Sequence, residues 1–168
     1  QTPVYLYDIP ARTQNHIEPA TAKALAAHGN IPGIKDSGGA QDTLEAYLAV
    51  GRETQDFAVY SGPDHLVHWS LENGAAGCIS GLGNVMPEVL AAIIRAFNAG
   101  DQAEAARQQE IFGNFRKDLY GLGYPPALVK RALYLMDNSV GASRQPALLP
   151  DPAQDAKIAE ILKKYGLL

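Results

Sequence analysis

Four short apolar runs alternate along the chain with longer segments that have the length and composition of helices. The runs predict four strands: Val4–Tyr7, Ile31–Lys35, Phe57–Tyr60 and Ala75–Ser80. The segments that follow them predict four helices: Glu18–His28, Asp42–Val50, His65–Glu72 and Pro87–Asn98. Alternation of this kind is typical of a parallel sheet covered by helices, so we expect an α/β fold built from four βα units.

Each predicted strand ends in polar, glycine or proline residues. The ends are Tyr7-Asp8, Lys35-Asp36-Ser37, Ser61-Gly62-Pro63 and Ser80-Gly81. Parallel strands end at the same edge of a sheet, and this edge is where α/β folds bind ligands. The sequence therefore predicts one polar edge that is suited to a catalytic site.

Lys35 is the residue at this edge with the most distinctive chemistry. It ends a short apolar run and precedes Asp36, Ser37 and two glycines. Loss of solvation beside apolar neighbours disfavours the charged ammonium, and the neutral amine is the form that attacks a carbonyl to give a Schiff base. The alternative is a lysine at a strand end whose amine simply reaches water.

The last third of the chain has a different character. Three further helices are predicted, at Asp101–Tyr120, Pro125–Met136 and Ala153–Tyr165, with a proline-rich loop at Asn138–Pro152. We therefore divide the chain into residues 1–100, which hold the βα units, and residues 101–168, which form a helical extension.

Charge and cysteine content narrow the classes of partner. The net charge is −4 without a cluster of lysine and arginine, which argues against nucleic acid or an anionic membrane as partner. No run approaches the length of a membrane span. Cys78 is the only cysteine, so no disulfide forms within the chain and a cytoplasmic location is expected.

No metal site is expected from the histidines. His16, His28, His65 and His68 lack a metal-binding spacing with cysteine or acidic partners, and we interpret all four as groups on helix surfaces. Cys78 is interpreted as a small buried hydrophobic residue.

Several motifs together resemble one enzyme family. They are Tyr5–Thr13 (YLYDIPART), Gly33–Ser37 (GIKDS), Ser61–Asp64 (SGPD), Gly77–Gly81 (GCISG) and Asn84–Glu88 (NVMPE). These motifs and the spacing between them resemble those of the dihydrodipicolinate synthase and N-acetylneuraminate lyase family, the lysine-dependent class I aldolases that use pyruvate. The resemblance extends over essentially the whole chain, including the three helices at the end.

The resemblance implies a TIM (β/α)8 barrel, of which this chain would supply the last four βα units and a three-helix extension. Val4–Tyr7 would be the fifth barrel strand, since a barrel of this type typically needs about 250 residues. The abrupt start in an apolar run fits this expectation, and the chain alone is expected to be incomplete. A homotetramer without a cofactor is implied.

The resemblance also assigns roles at the predicted edge. Lys35 would form the Schiff base with pyruvate, and Tyr7 would relay protons, although a tyrosine packed in the core is the alternative. Arg12 would bind a carboxylate of the aldehyde substrate, the alternative being a surface arginine. Gly62 and the backbone of Ile79 would line the pyruvate pocket.

The second substrate is less sharply indicated. Arg12 favours a dihydrodipicolinate synthase-like condensation over N-acetylneuraminate lyase, while a 2-keto-3-deoxy-sugar-acid aldolase, for example one acting on 2-keto-3-deoxygluconate, is the close alternative. Asp8 stands where the family usually has asparagine, and Pro63 where many synthases have an acid. A hypothesis of another class is a catalytically inactive half-barrel that binds a metabolite.

Overall fold

The computed structural model describes residues 2–137 and 139–168, with the side chain of Asp137 also left undescribed. The chain divides into two compact units, one up to Ser80 and one from Gly81 to Leu168.

The first unit contains a parallel sheet of four strands in the order in which they occur along the chain. The strands are β1 (Leu6–Asp8), β2 (Gly33–Asp36), β3 (Ala58–Ser61) and β4 (Gly77–Cys78). Its helices are α1 (Pro10–Thr13), α2 (Pro19–Ala26), α3 (Gln41–Glu53) and α4 (Val67–Glu72), the last preceded by a 3-10 turn at Asp64–Leu66. The predicted parallel α/β arrangement is confirmed.

The strand register puts four residues in one row across the sheet. Tyr7 pairs with Lys35, Lys35 with Tyr60, and Tyr60 with Gly77. Since successive side chains of a strand point to opposite faces, this row shares one face of the sheet. The next residue along each of the first three strands, Asp8, Asp36 and Ser61, is buried on the opposite face.

That opposite face packs against helices and holds the core of the unit. The core residues are Ala22, Ile34, Leu44, Tyr47, Leu48, Val50, Phe57, Val59 and Leu66. The face with Lys35 is open by comparison, because Tyr5 is 51% exposed and Tyr7 49% exposed. The apolar helix positions therefore decide which side of the sheet is the core and leave the strand ends accessible from the other side.

The second unit is helical. It contains a 3-10 turn at Leu82–Asn84 and helices α5 (Pro87–Asn98), α6 (Gln102–Tyr120), α7 (Pro125–Asp137) and α8 (Pro152–Lys164). The side chain of Asp101 caps α6 by accepting from the Glu104 amide, and Asp151 caps α8 with Gln154 in a reciprocal capping box. The three helices predicted after residue 100 are thus confirmed.

Some predicted boundaries were wrong. The fourth strand is shorter than predicted, because β4 lies at the edge of the sheet and pairs with a neighbour on one side only. The amides of Ala76 and Ile79, on either side of β4, still donate to carbonyls of β3. Helix α1 was not predicted; Pro10 supplies a fixed φ that suits its first position, and Gln14 closes it with φ 55°. The compact units separate after Ser80, whereas the predicted division at residue 100 follows the βα rhythm and stays a prediction.

In the ranges 2–137 and 139–168 there is no helix that is both long and apolar enough to cross a membrane.

Candidate active site

Lys35 and Tyr7 meet at the carboxyl end of the sheet. They are register partners on β2 and β1, so their side chains emerge side by side. The Lys35 Nζ donates to the Tyr7 hydroxyl at 3.4 Å and lies 4.5 Å from the centroid of the tyrosine ring. An amine and a phenol at this distance can exchange a proton directly or through one substrate atom. The tyrosine is half-exposed, so its ring is not packed in the core of this unit.

Gly62 lies against the lysine side chain. An ideal Cβ built on Gly62 would be 2.9 Å from Lys35 Cε and would collide with Ser37 Oγ and the Asp36 carbonyl oxygen. The Gly62 amide donates to that carbonyl at 2.7 Å, which locks the backbone in place. Only glycine fits here without displacing the lysine or the strand, which is a close backbone approach of the kind that glycine permits.

Ile79 continues the line of the last strand. Its amide donates to the Ser61 carbonyl at 2.9 Å, and its side chain is 50% exposed. The residue therefore lies at the same edge of the sheet as Lys35 and follows β4 directly.

Arg12 lies on α1, the single helical turn that follows β1. It is exposed, and the hydroxyl of its neighbour Thr13 donates to the Asn15 carbonyl at 2.8 Å. The loop between β1 and α2 thus places a guanidinium four residues beyond the strand that carries Tyr7.

A buried polar cluster lies behind the strand ends. Asp8, 1% exposed, is 2.9 Å from His16 Nδ1 through Oδ2 and accepts from the Ile17 amide through Oδ1. Its register partner Asp36 is fully buried and accepts from the Gly38 amide at 2.7 Å. Burial raises the pKa of Asp36 above its ordinary value, and the nearby Asp8 charge acts in the same direction, against the lowering effect of the Gly38 amide.

The interpretation of the histidines as groups on helix surfaces was wrong at three positions. His28 is exposed but lies just after the end of α2. His68 is buried in α4 rather than on its surface, and its Nε2 is 3.7 Å from Glu72 Oε1. His16 lies in the loop before α2 and pairs with Asp8. Its pairing could not be read from spacing, because the loop must fold back to bring the two side chains together. No cluster of three or more potential metal ligands occurs in the described ranges.

Cys78 is half-buried rather than fully buried. Burial raises the pKa of its thiol to about 11, and the charge of Asp64 contributes in the same direction. Asp64 is itself buried and accepts a hydrogen bond from the Ser80 hydroxyl, which ties the β3 loop to the end of β4.

Sequence reasoning missed two neighbours of Lys35. Ser37 Oγ lies beside the same point of Gly62 as the lysine Cε, and Tyr60 is the register partner of Lys35 on β3. The position of Ser37 two residues after the lysine was the available signal, since it shares the lysine's strand end. The position of Tyr60 depends on strand register, which the sequence does not specify.

Comparisons with known proteins identify the family to which the chain belongs. Residues 1–165 match the dihydrodipicolinate synthetase family. The chain is 38% identical over 167 residues to a 4-hydroxy-tetrahydrodipicolinate synthase of Moorella thermoacetica, covering 99% of this chain and 56% of that protein. The chain thus spans about half the length of this curated relative.

Two solved structures superpose on nearly all of this chain, which again covers about half of each of them. YagE, a prophage protein of the dihydrodipicolinic acid synthase family from E. coli K12, solved in complex with pyruvate, superposes with a TM-score of 0.90 at 30% identity over 99% of this chain and 57% of that one. KD(P)GA from T. tenax superposes with a TM-score of 0.84 at 29% identity over 100% and 57%. With its sheet, its strand-end lysine and tyrosine, and a match over nearly its whole length, this chain belongs to the dihydrodipicolinate synthetase family.

Proposed function

We propose that the protein carrying this chain is a lysine-dependent carbon–carbon lyase or synthase that forms a Schiff base with pyruvate. The observation that carries the proposal is the pairing of Lys35 Nζ with the Tyr7 hydroxyl at 3.4 Å on the open face of the sheet. Family membership supports the same chemistry, and a relative of this family has been solved with pyruvate.

The reaction follows from the chemistry of an amine and a ketone. The neutral Lys35 amine adds to the keto carbon of pyruvate, and loss of water from the carbinolamine gives an iminium. The iminium draws electrons from the adjacent carbon, so a methyl proton leaves and an enamine forms. The enamine carbon attacks the aldehyde carbon, the aldehyde oxygen takes a proton, and hydrolysis of the iminium frees Lys35 and the product. No separate cofactor is needed, because the iminium itself is the electron sink.

Tyr7 is proposed as the proton carrier in these steps. Its hydroxyl is beside the amine, so it is placed to give a proton to the departing hydroxyl of the carbinolamine, to take up the methyl proton as the enamine forms, and to pass that proton to the aldehyde oxygen. Gly62 leaves room for the lysine, and Ile79 contributes backbone to the pyruvate pocket.

Arg12 is proposed to bind a carboxylate of the aldehyde. A planar guanidinium matches a carboxylate with two parallel hydrogen bonds, and α1 holds Arg12 just beyond the strand of Tyr7. The best-supported reaction is therefore a dihydrodipicolinate synthase-like condensation of pyruvate with a carboxylate-bearing aldehyde, as the name of the M. thermoacetica relative suggests.

The proposal includes a larger assembly. Because the chain spans about half of its relatives, we propose that it supplies the last four units of a (β/α)8 barrel and that the other units come from a preceding portion. We also propose a homotetramer in the cytoplasm; the location is favoured by the single cysteine.

The test is reductive trapping. The protein is incubated with pyruvate, reduced with borohydride and digested, and the peptide masses are measured by mass spectrometry. We expect a pyruvate adduct on the peptide that contains Lys35, formed by this chain or by a form extended with the preceding barrel units. An unlabelled lysine in both forms would contradict the Schiff-base proposal and favour a metabolite-binding role.

A 2-keto-3-deoxy-sugar-acid aldolase is the second candidate. It is favoured by the likeness to KD(P)GA of T. tenax and by Pro63 in place of an acid at the β3 loop. Condensation of pyruvate with aspartate semialdehyde, which bears a carboxylate, is compared with condensation with glyceraldehyde, which does not. The aldehyde with the higher kcat/KM identifies the reaction.

A further inference from the structure

The loop between β1 and α2 is closed by a buried carboxylate. Asp8 stands at the start of this loop, and its two carboxylate oxygens bind the far end: Oδ2 pairs with His16 Nδ1 and Oδ1 accepts from the Ile17 amide, each at 2.9 Å. The carboxylate is thus a clasp that joins both ends of the loop.

The far end of the loop is also held from α3. The hydroxyl of the fully buried Tyr47 donates to the Ile17 carbonyl at 2.5 Å, and the ring centroids of Tyr47 and His16 are 6.2 Å apart. The backbone of Ile17 is therefore fixed at both its amide and its carbonyl. This leaves the segment between the clasped ends as the part whose position depends on the clasp.

That segment contains α1 and Arg12. Helix α1 has only four residues, and its backbone hydrogen bonds are local, such as the one from the Gln14 amide to the Pro10 carbonyl at 2.9 Å. A single turn has little stability of its own. Its position relative to the strand ends therefore depends on where the loop begins and ends.

The buried Asp8 carboxylate depends on its hydrogen-bond partners, one of which is His16. Asp8 is almost fully buried, and Asp36 faces it from β2 as a second buried carboxyl group. A buried carboxylate that loses its hydrogen-bonded partner is strongly destabilised. A neutral asparagine at this position would have a weaker requirement; the requirement of the aspartate in this chain is met by His16 together with the Ile17 amide.

We propose that Asp8 and His16 are positioning residues for the aldehyde substrate: their pairing closes the loop and thereby sets where Arg12 presents its guanidinium. The inference rests on the proposed function, in which Arg12 binds the aldehyde carboxylate. The inference predicts different effects on the two substrates, because Lys35, which captures pyruvate, lies on β2, outside the loop. Loosening the clasp should therefore weaken recognition of the aldehyde and leave pyruvate capture intact.

The experiment compares His16→Leu, which removes the donor, with His16→Asn, which keeps a side-chain N–H. It uses the active form of the protein, with pyruvate and aspartate semialdehyde. For His16→Leu we expect the KM for the aldehyde to rise by about tenfold while kcat and the rate of pyruvate trapping stay within about threefold, since a displaced binding group acts on affinity more than on the bond-forming step. His16→Asn should recover most of the affinity.

Lys23→Met is the matched control. Lys23 lies on α2 of the same unit and forms an ion pair with Glu53 at 2.6 Å, but both side chains are more than half exposed. Loss of this pair should leave the KM for the aldehyde and the rate of pyruvate trapping unchanged, because exposed ion pairs contribute little to stability.

Each outcome has one meaning. A folded His16→Leu protein with an unchanged aldehyde KM, or with pyruvate trapping slowed as much as aldehyde use, would overturn the inference while the proposed function stands. If His16→Leu fails to fold, two double variants are compared. Asp8→Asn/His16→Asn keeps an uncharged hydrogen-bonding pair at these positions, and Asp8→Leu/His16→Leu does not. The first must bind the aldehyde more tightly than the second. Absence of a pyruvate adduct in the unchanged protein would instead refute the proposed function, and this inference with it.

Discussion

The hydroxyl of Tyr7 lies 3.4 Å from the amine of Lys35, because the two residues are direct partners in the register between β1 and β2. Neither side chain reaches for the other across a loop; both are presented by rigid strands. In the proposed reaction, a nucleophile and a proton carrier held in this way would stay aligned through several proton transfers.

Replacing Tyr7 should slow catalysis without removing the nucleophile. In the active protein we expect Tyr7→Phe to lower kcat by roughly 10²–10⁴-fold, the range for loss of a positioned proton carrier. Borohydride trapping should still label Lys35, more slowly. Tyr5→Phe is the control, because Tyr5 is similarly exposed but its ring packs against Tyr60, with centroids 5.9 Å apart. Equal losses in the two variants would argue against the assigned role.

Gly62→Ala should damage both stability and pyruvate capture. The added methyl group would collide with backbone and with Ser37, so the strand end or Lys35 must move. Forced overpacking of this kind lowers the free energy of unfolding by about 1–3 kcal/mol. Urea unfolding gives the stability, and the trapping rate reports on the lysine. Gly29→Ala, where no atom lies within 4 Å of an added Cβ, should change stability by less than about 1 kcal/mol.

Asp36→Asn should stabilise the first unit at neutral pH. Because the pKa of Asp36 is raised in the folded state, the native carboxyl keeps its proton to a higher pH than the unfolded one. The native state then binds more protons in the window that begins at the ordinary carboxyl value and extends to the raised one, so stability falls as the pH rises through it. Above this window the ionised group is a cost that asparagine lacks, while the Gly38 amide keeps its acceptor.

The measurement is urea unfolding of both proteins near pH 7 and near pH 4. The stabilisation by Asp36→Asn should be largest near pH 7 and shrink towards pH 4. Asp42→Asn serves as the comparison, since Asp42 is exposed in the first turn of α3 and its replacement should cost only about 0.5 kcal/mol. An Asp36→Asn protein that is less stable at neutral pH would show that the carboxylate is favourably bound.

Cys78 should react slowly with thiol-alkylating reagents in the folded protein. With its pKa raised to about 11, the thiol is almost wholly protonated near pH 8. Alkylation by iodoacetamide should therefore be about a hundredfold slower than in urea, where an ordinary thiol pKa near 8.5 applies. The two rates are read by intact mass. Similar rates in the folded and unfolded protein would contradict the burial of this group.

Short-range patterns along the chain located the four strands and most of the helices, whereas the class of chemistry was inferred from the resemblance to a known family. Proline and glycine mark where elements start and stop through local backbone geometry, and apolar runs mark buried strands, so the βα units and the final helices could be located. Lys35 could be singled out in the same way, because it ends an apolar run, whereas the role predicted for Tyr7 came from the resemblance to the family.

Long-range geometry supplied the rest. That Tyr7, Lys35, Tyr60 and Gly77 share one row depends on strand register, which is set by the packing of helices on the opposite face. The pairing of Asp8 with His16 requires a loop to fold back, and the burial of His68 depends on which side of α4 faces the sheet. Local sequence encodes preferences of neighbouring residues, whereas these contacts arise from the one arrangement that buries the apolar faces together.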